Sequence, residues 1–139
     1  MTSKIKINHI AVAVPDIDAA LPFWRDALGL PYEQTDDVPT EAVKVAFLAA
    51  DDAHIELVQP TTDDSGIAKY LAKRGAGMHH LCFEVEDIEA AMQQLTEHDV
   101  ELINETPRQR DNGTRYAFVH PKSTGGVMIE LYETPKNNL

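Results

Sequence analysis

From about Lys6 apolar and polar residues alternate, in the run Ile7-Asn-His9-Ile-Ala-Val-Ala-Val-Pro, before Asp16 opens an Ala- and Leu-containing stretch. A period of two predicts a half-buried strand, and Asp16 stands where an N-cap belongs, so a helix is expected next. The pattern returns without a gap at an offset of 71 residues. His80-Leu-Cys-Phe-Glu-Val-Glu-Asp87-Ile-Glu-Ala-Ala91 matches His9-Ile-Ala-Val-Ala-Val-Pro-Asp16-Ile-Asp-Ala-Ala20. Lys44-Val-Ala-Phe47 pairs with Arg115-Tyr-Ala-Phe118 at the same offset, and Ile55-Glu56-Leu57 with Ile129-Glu130-Leu131 at 74. Self-similarity at a fixed spacing is the mark of one structural motif used twice.

Further strand-like runs follow in each copy, at 30–33, 43–48 and 54–58, then at 100–103, 116–120 and 127–132, with Gly, Pro, Asn and Asp between them. Each half therefore reads βαβββ, an α+β organisation in which a small open sheet carries a helix on one face. One domain over 1–139 is expected, with module one at about 5–62, a linker helix within 63–75 and module two at about 76–134. Residues 108–114 read as a mobile loop.

Alternation also assigns faces. Ile10, Val12 and Val14 should pack under the first helix, with His9, Ala11 and Ala13 opposite them. Leu81, Phe83 and Val85 should pack under the second, with His80, Cys82 and Glu84 opposite. Small residues beside a histidine predict room for a ligand.

Composition narrows the function classes. The net charge of -11, with no basic stripe, argues against a nucleic-acid partner. The single cysteine, Cys82, rules out an intramolecular disulfide and suits a reducing compartment. No apolar run approaches the roughly 20 residues that span a bilayer, and strand-like sequence begins too early for a leader. A cytoplasmic protein without a membrane partner is expected.

The repeat gives chemistry as well as architecture. A histidine opens the first strand of each half, and a glutamate stands among apolar neighbours in the last strand of each. A lone strand histidine is more often a hydrogen-bonded core residue, and a lone glutamate a solvated charge. Recurrence of both types in register favours a metal site built from His9, Glu56, His80 and Glu130. If the halves pack about a pseudo-two-fold axis, all four converge. Two imidazoles and two carboxylates suit a divalent ion such as cobalt, manganese, nickel or zinc, with positions left for substrate or water. His54, His79, His98 and His120 lack this recurrence.

Three segments carry a resemblance over nearly the whole chain: Ile7-Asn-His-Ile-Ala-Val, Gly77-Met-His-His80-Leu, and His120-Pro-Lys-Ser-Thr-Gly-Gly-Val-Met-Ile-Glu130-Leu. They resemble the vicinal oxygen chelate (glyoxalase/bleomycin resistance/dioxygenase) superfamily and, within it, the methylmalonyl-CoA epimerase family. That resemblance implies a glyoxalase-like open barrel around a divalent metal, cobalt first among the candidates. It further implies an acyl-CoA substrate epimerised through an enolate, and a homodimer. Glu130 is then the expected base. Some family members place a second base on the third strand of the first half. Here that position reads as Lys44, with Glu41 three residues earlier, and Lys44 is expected to face the cavity. An acidic protein that holds polyanionic CoA needs local cations; Lys122 is the candidate, with Arg115, Lys69, Lys73 and Arg74 also available. Rival readings are a glyoxalase I-type lactoylglutathione lyase and a metal-free binding module of the same fold. An extradiol dioxygenase fits less well, since it uses two histidines and one carboxylate.

Overall fold

The computed structural model describes residues 4–135. They form two compact units: residues 9–79 are one, and 4–8 with 80–135 the other. The boundary falls within strand β1, Ile5–Ala13.

In the first unit β1 leads into helix α1 (Ile17–Leu21), which Asp16 caps by accepting the Asp18 N–H at 3.1 Å. Pro22 then interrupts the α-helical pattern. It has no N–H to give, and the chain continues as one π-type turn over Pro22–Ala27, in which the Leu28 N–H reaches back five residues to the Phe23 carbonyl. Strands β2 (Tyr32–Val38), β3 (Val43–Ala50) and β4 (Ala53–Pro60) complete a sheet in the order β2-β3-β4-β1, with β4 parallel to β1 and the other pairs antiparallel. Helix α2 (Gly66–Arg74) follows, capped by the Ser65 hydroxyl on the Ala68 N–H at 3.1 Å.

The second unit repeats the order. Strand β5 (Gly77–Val85) feeds helix α3 (Ile88–Glu97), capped by Asp87 on the Ala90 N–H at 3.1 Å. Strands β6 (Arg108–Gln109), β7 (Arg115–Val119) and β8 (Ile129–Glu133) give the order β5-β8-β7-β6, with β8 parallel to β5. The expected βαβββ scheme and both aspartate caps are therefore found.

Two strands differ from expectation. Polar β2 lies at Tyr32–Val38 and is almost wholly exposed. Its backbone pairing with β3 creates it, and no hydrophobic pattern announces it. Residues 100–103 make no strand; only Leu102 bridges to Val119. The outer strand β6 lies instead inside the segment expected to be a mobile loop. There the Arg110 N–H donates to the Thr114 carbonyl at 2.8 Å and the Arg110 carbonyl accepts from Gly113 at 3.0 Å. Gly113 has φ +89, a left-handed conformation that favours glycine, and a Cβ there would also crowd Pro135 at 3.1 Å.

The core sits under the helices. Val12 and Val14 pack with Ile17, Leu21, Ala46, Leu48 and Leu57 beneath α1, and Phe83 and Val85 pack with Ile88, Met92, Ala117 and Leu131 beneath α3. The faces assigned by alternation are correct here. Ala11 and Ala13 overturn the expectation of open space beside His9. Both are fully buried, in a cluster with Val43, Val45, Val58 and Ile67 from α2.

Candidate metal and proton-transfer site

Each sheet carries one histidine–glutamate pair, built by the same register. In the first unit Ala11 lies opposite Glu56, and His9, two residues earlier, shares its face. His9 Nδ1 is 3.1 Å from Glu56 Oε2. In the second unit Cys82 lies opposite Glu130, and His80 shares that face. His80 Nε2 is 3.1 Å from Glu130 Oε1. His9 and Glu130 are buried, Glu130 with only 2% exposed. A carboxylate in such a place needs partners, and Arg110 Nη2 stands 3.6 Å from Glu130 Oε2. The His80 ring meets Phe118 edge-on at 5.6 Å. Cys82 is fully buried on the Glu130 face.

The donor set fits a divalent ion. Each unit pairs one imidazole nitrogen with one carboxylate oxygen at 3.1 Å, and donors of these types are the borderline-to-hard ligands that cobalt, manganese, nickel or zinc accepts.

Lys44 stands elsewhere. It lies opposite Gln59, whereas Glu56 lies opposite Phe47 three positions along the same strand. An odd separation puts the two on opposite faces of the sheet. Lys44 is exposed on the face that carries α1, so the expected orientation toward the site is corrected. Lys44 shares parity with Ala46 and Leu48, as expected, but those two pack beneath α1. Its repeat partner Arg115 is on the helix face too, bonded to Glu89 at 2.9 Å and to Glu133 at 3.4 Å. The hydrogen bond that Arg115 donates to Glu89, reinforced by the attraction of both carboxylates, holds that guanidinium above its ordinary value. Glu41 is exposed in the β2–β3 turn, its N–H on the Val38 carbonyl at 3.1 Å.

Lys122 is exposed in a short 3-10 turn, Pro121–Ser123, 4.0 Å from Glu101. His79 packs edge-on against Tyr70 at 4.9 Å, in the unit that does not contain His80.

Three further residues of consequence lie outside the sequence-based candidates. Gln59 and Glu133 cap helices across their sheets, and their offset of 74 could have been found by extending the Glu56/Glu130 match. Arg110 carries no such signal.

The model of the Glyoxalase/Bleomycin resistance protein/Dioxygenase superfamily matches residues 8–118. The uncharacterized protein YqjC of Bacillus subtilis (strain 168) is 38% identical over 133 residues, 96% of this chain and 94% of that protein. The ethylmalonyl-CoA/methylmalonyl-CoA epimerase of Cereibacter sphaeroides is 38% identical over 128 residues, 91% of this chain and 96% of the relative. The crystal structure of methylmalonyl-CoA epimerase from Mycobacterium tuberculosis matches with a TM-score of 0.83 at 36% identity, over 94% of this chain and 88% of that one. With the repeated His–Glu pair and identity at this level along nearly the whole length, the chain belongs to the glyoxalase/bleomycin resistance protein/dioxygenase superfamily and, within it, to the methylmalonyl-CoA epimerase family of isomerases.

Proposed function

We propose that the protein interconverts (R)- and (S)-methylmalonyl-CoA by removing and returning the proton on the carbon between thioester and carboxylate. The observation that carries this reading is the histidine–glutamate pair recurring at 3.1 Å in each unit, in a chain whose relatives are named for that reaction. In this proposal His9, Glu56, His80 and Glu130 hold one divalent ion, with cobalt the first candidate. When bound, such an ion would polarise the thioester oxygen and stabilise the enolate.

Glu130 is the proposed acid/base. Its burial strengthens electrostatic interaction with a developing charge, and a carboxylate within hydrogen-bond reach of the α-carbon can take or give its proton on one face of the planar enolate, while inversion requires a second group to exchange the proton on the opposite face. Lys44, exposed on the other face of its sheet from Glu56, has no part in this proton transfer. Lys122 is exposed, and the four-carbon stem of a lysine can carry its ammonium to a CoA phosphate, which is the role proposed for it. The same reading makes the protein a cytoplasmic homodimer. Among the described residues no helix is long and apolar enough to cross a membrane.

The test is incubation with (S)- or (R)-methylmalonyl-CoA in deuterated water. Label at the α-carbon together with the opposite stereoisomer is expected. Retention of both proton and configuration would sink the proposal, and a hemithioacetal of glutathione turned over instead would move the protein to the lyase reading.

A further inference from the structure

Arg110 stands beside the carboxylate of Glu130. Its Nη2 is 3.6 Å from Glu130 Oε2, inside ion-pair reach and too long for a hydrogen bond. Its guanidinium carbon lies 3.8 Å from the centre of the Tyr116 ring, a cation–π contact that braces the side chain from one side. Both backbone polar groups of Arg110 are tied into the β6–β7 turn, to Thr114 and Gly113. The side chain retains 35% exposure, against 3% for Glu130.

This is a placed cation with donors still to offer. A guanidinium has five N–H groups in a planar fork. The ring face takes none of them, and the Glu130 contact is electrostatic. What such a fork matches is a second carboxylate, gripped through two parallel N–H···O bonds.

We propose that Arg110 receives the free carboxylate of a malonyl-type acyl-CoA, and so makes the site select thioesters bearing a carboxylate on the α-carbon over plain acyl thioesters. The proposal rests on the epimerase reading for the place of the α-carbon. The carbon that exchanges its proton with Glu130 must lie in hydrogen-bond reach of that side chain. The substrate carboxylate is bonded directly to this carbon, so it falls in the neighbourhood of a cation 3.6 Å from Glu130. Two carboxylates brought this close repel, and a guanidinium beside both relieves that repulsion. In a chain of net charge -11 a local cation is also what lets an anionic acyl group approach. A propionyl group offers only hydrogen in place of the carboxylate.

The experiment compares the wild-type protein, Arg110→Met and Arg110→Lys. Dissociation constants for methylmalonyl-CoA and propionyl-CoA are measured by calorimetry, and manganese binding by equilibrium dialysis. The expected result is a wild-type preference for methylmalonyl-CoA of roughly tenfold or more, the scale of a charge-assisted hydrogen bond. Arg110→Met should lose that preference and Arg110→Lys keep part of it, with manganese stoichiometry unchanged in both. In turnover the loss should appear mainly in KM. Equal binding of the two thioesters by the wild type, or a preference that survives Arg110→Met, overturns the proposal, as does equal weakening of both ligands with loss of manganese, the mark of a structural role. Because the binding arms need no turnover, failure to epimerise would overturn the proposed reaction while this assignment is still decided by the affinities.

Discussion

Gln59 and Glu133 do the same task in the two units: Gln59 Oε1 accepts the N–H of Ile17 at the start of α1, and Glu133 Oε2 accepts the N–H of Ile88 at the start of α3, both at 2.8 Å. Each stands three residues beyond the site glutamate of its strand, Glu56 or Glu130. The strand that carries the candidate ligand is thereby pinned to the helix that covers its sheet. An N-terminal helical N–H is one of the orphan donors that something must satisfy, and here a side chain from a distant strand supplies the acceptor.

Glu133 is buried and also takes Arg115. Its replacement by alanine should therefore cost about 2–4 kcal/mol, by stranding a buried N–H and removing one partner of a guanidinium. Glu133→Gln retains an acceptor, as Gln59 does, and should cost under half as much. Urea unfolding of the two variants measures the difference, and equal losses would mean that the cap carries nothing.

Removal of metal by a chelator should abolish α-proton exchange, and cobalt or manganese should restore it, because stabilisation of the enolate is assigned to the ion. Full activity in a preparation shown by elemental analysis to be free of metal would refute that assignment.

His9→Ala and His80→Ala should each lower metal affinity by about 10-fold or more while leaving the far-ultraviolet circular dichroism unchanged, since each removes one donor from a proposed set of four. Dialysis against manganese reads the effect directly. Unaltered binding in either variant would exclude that histidine from the set.

Glu130→Gln keeps the shape of the side chain and removes its capacity to accept the α-proton. A fall of about 10²–10⁴-fold in label uptake from deuterated water is expected, larger than any fall in substrate affinity. Exchange at the parent rate would transfer the acid/base role to another group.

Lys44→Met should leave epimerisation within about twofold of the parent rate, the small effect expected of a surface substitution on the opposite sheet face from Glu56. The lysine is exposed on the α1 face of its sheet, opposite Gln59. A loss of inversion with proton exchange retained would return it to the reaction as the second base.

Much of this protein is written locally in its chain. The period-two runs, the caps at Asp16 and Asp87, and the faces of Val12, Val14, Phe83 and Val85 all follow from side-chain direction and hydrogen bonding within a few residues. Duplication then displayed the two histidines and two glutamates, because a contact pattern used twice appears twice in the sequence. Tertiary structure alone decided the rest. The face of Lys44 is not legible locally because parity within one strand does not say which face the helix covers; that depends on β3 lying against β4 with Lys44 at Gln59 and Phe47 at Glu56. Polar β2 exists only because β3 offers it a ladder of backbone groups, and Ala11 and Ala13 are covered because α2 folds back over them. Arg110 reaches Glu130 because β6, β7 and β8 stack side by side and bring a turn arginine to a residue 20 positions along the chain. Backbone pairing between distant segments sets such contacts, and it leaves no periodic trace in the residues it joins.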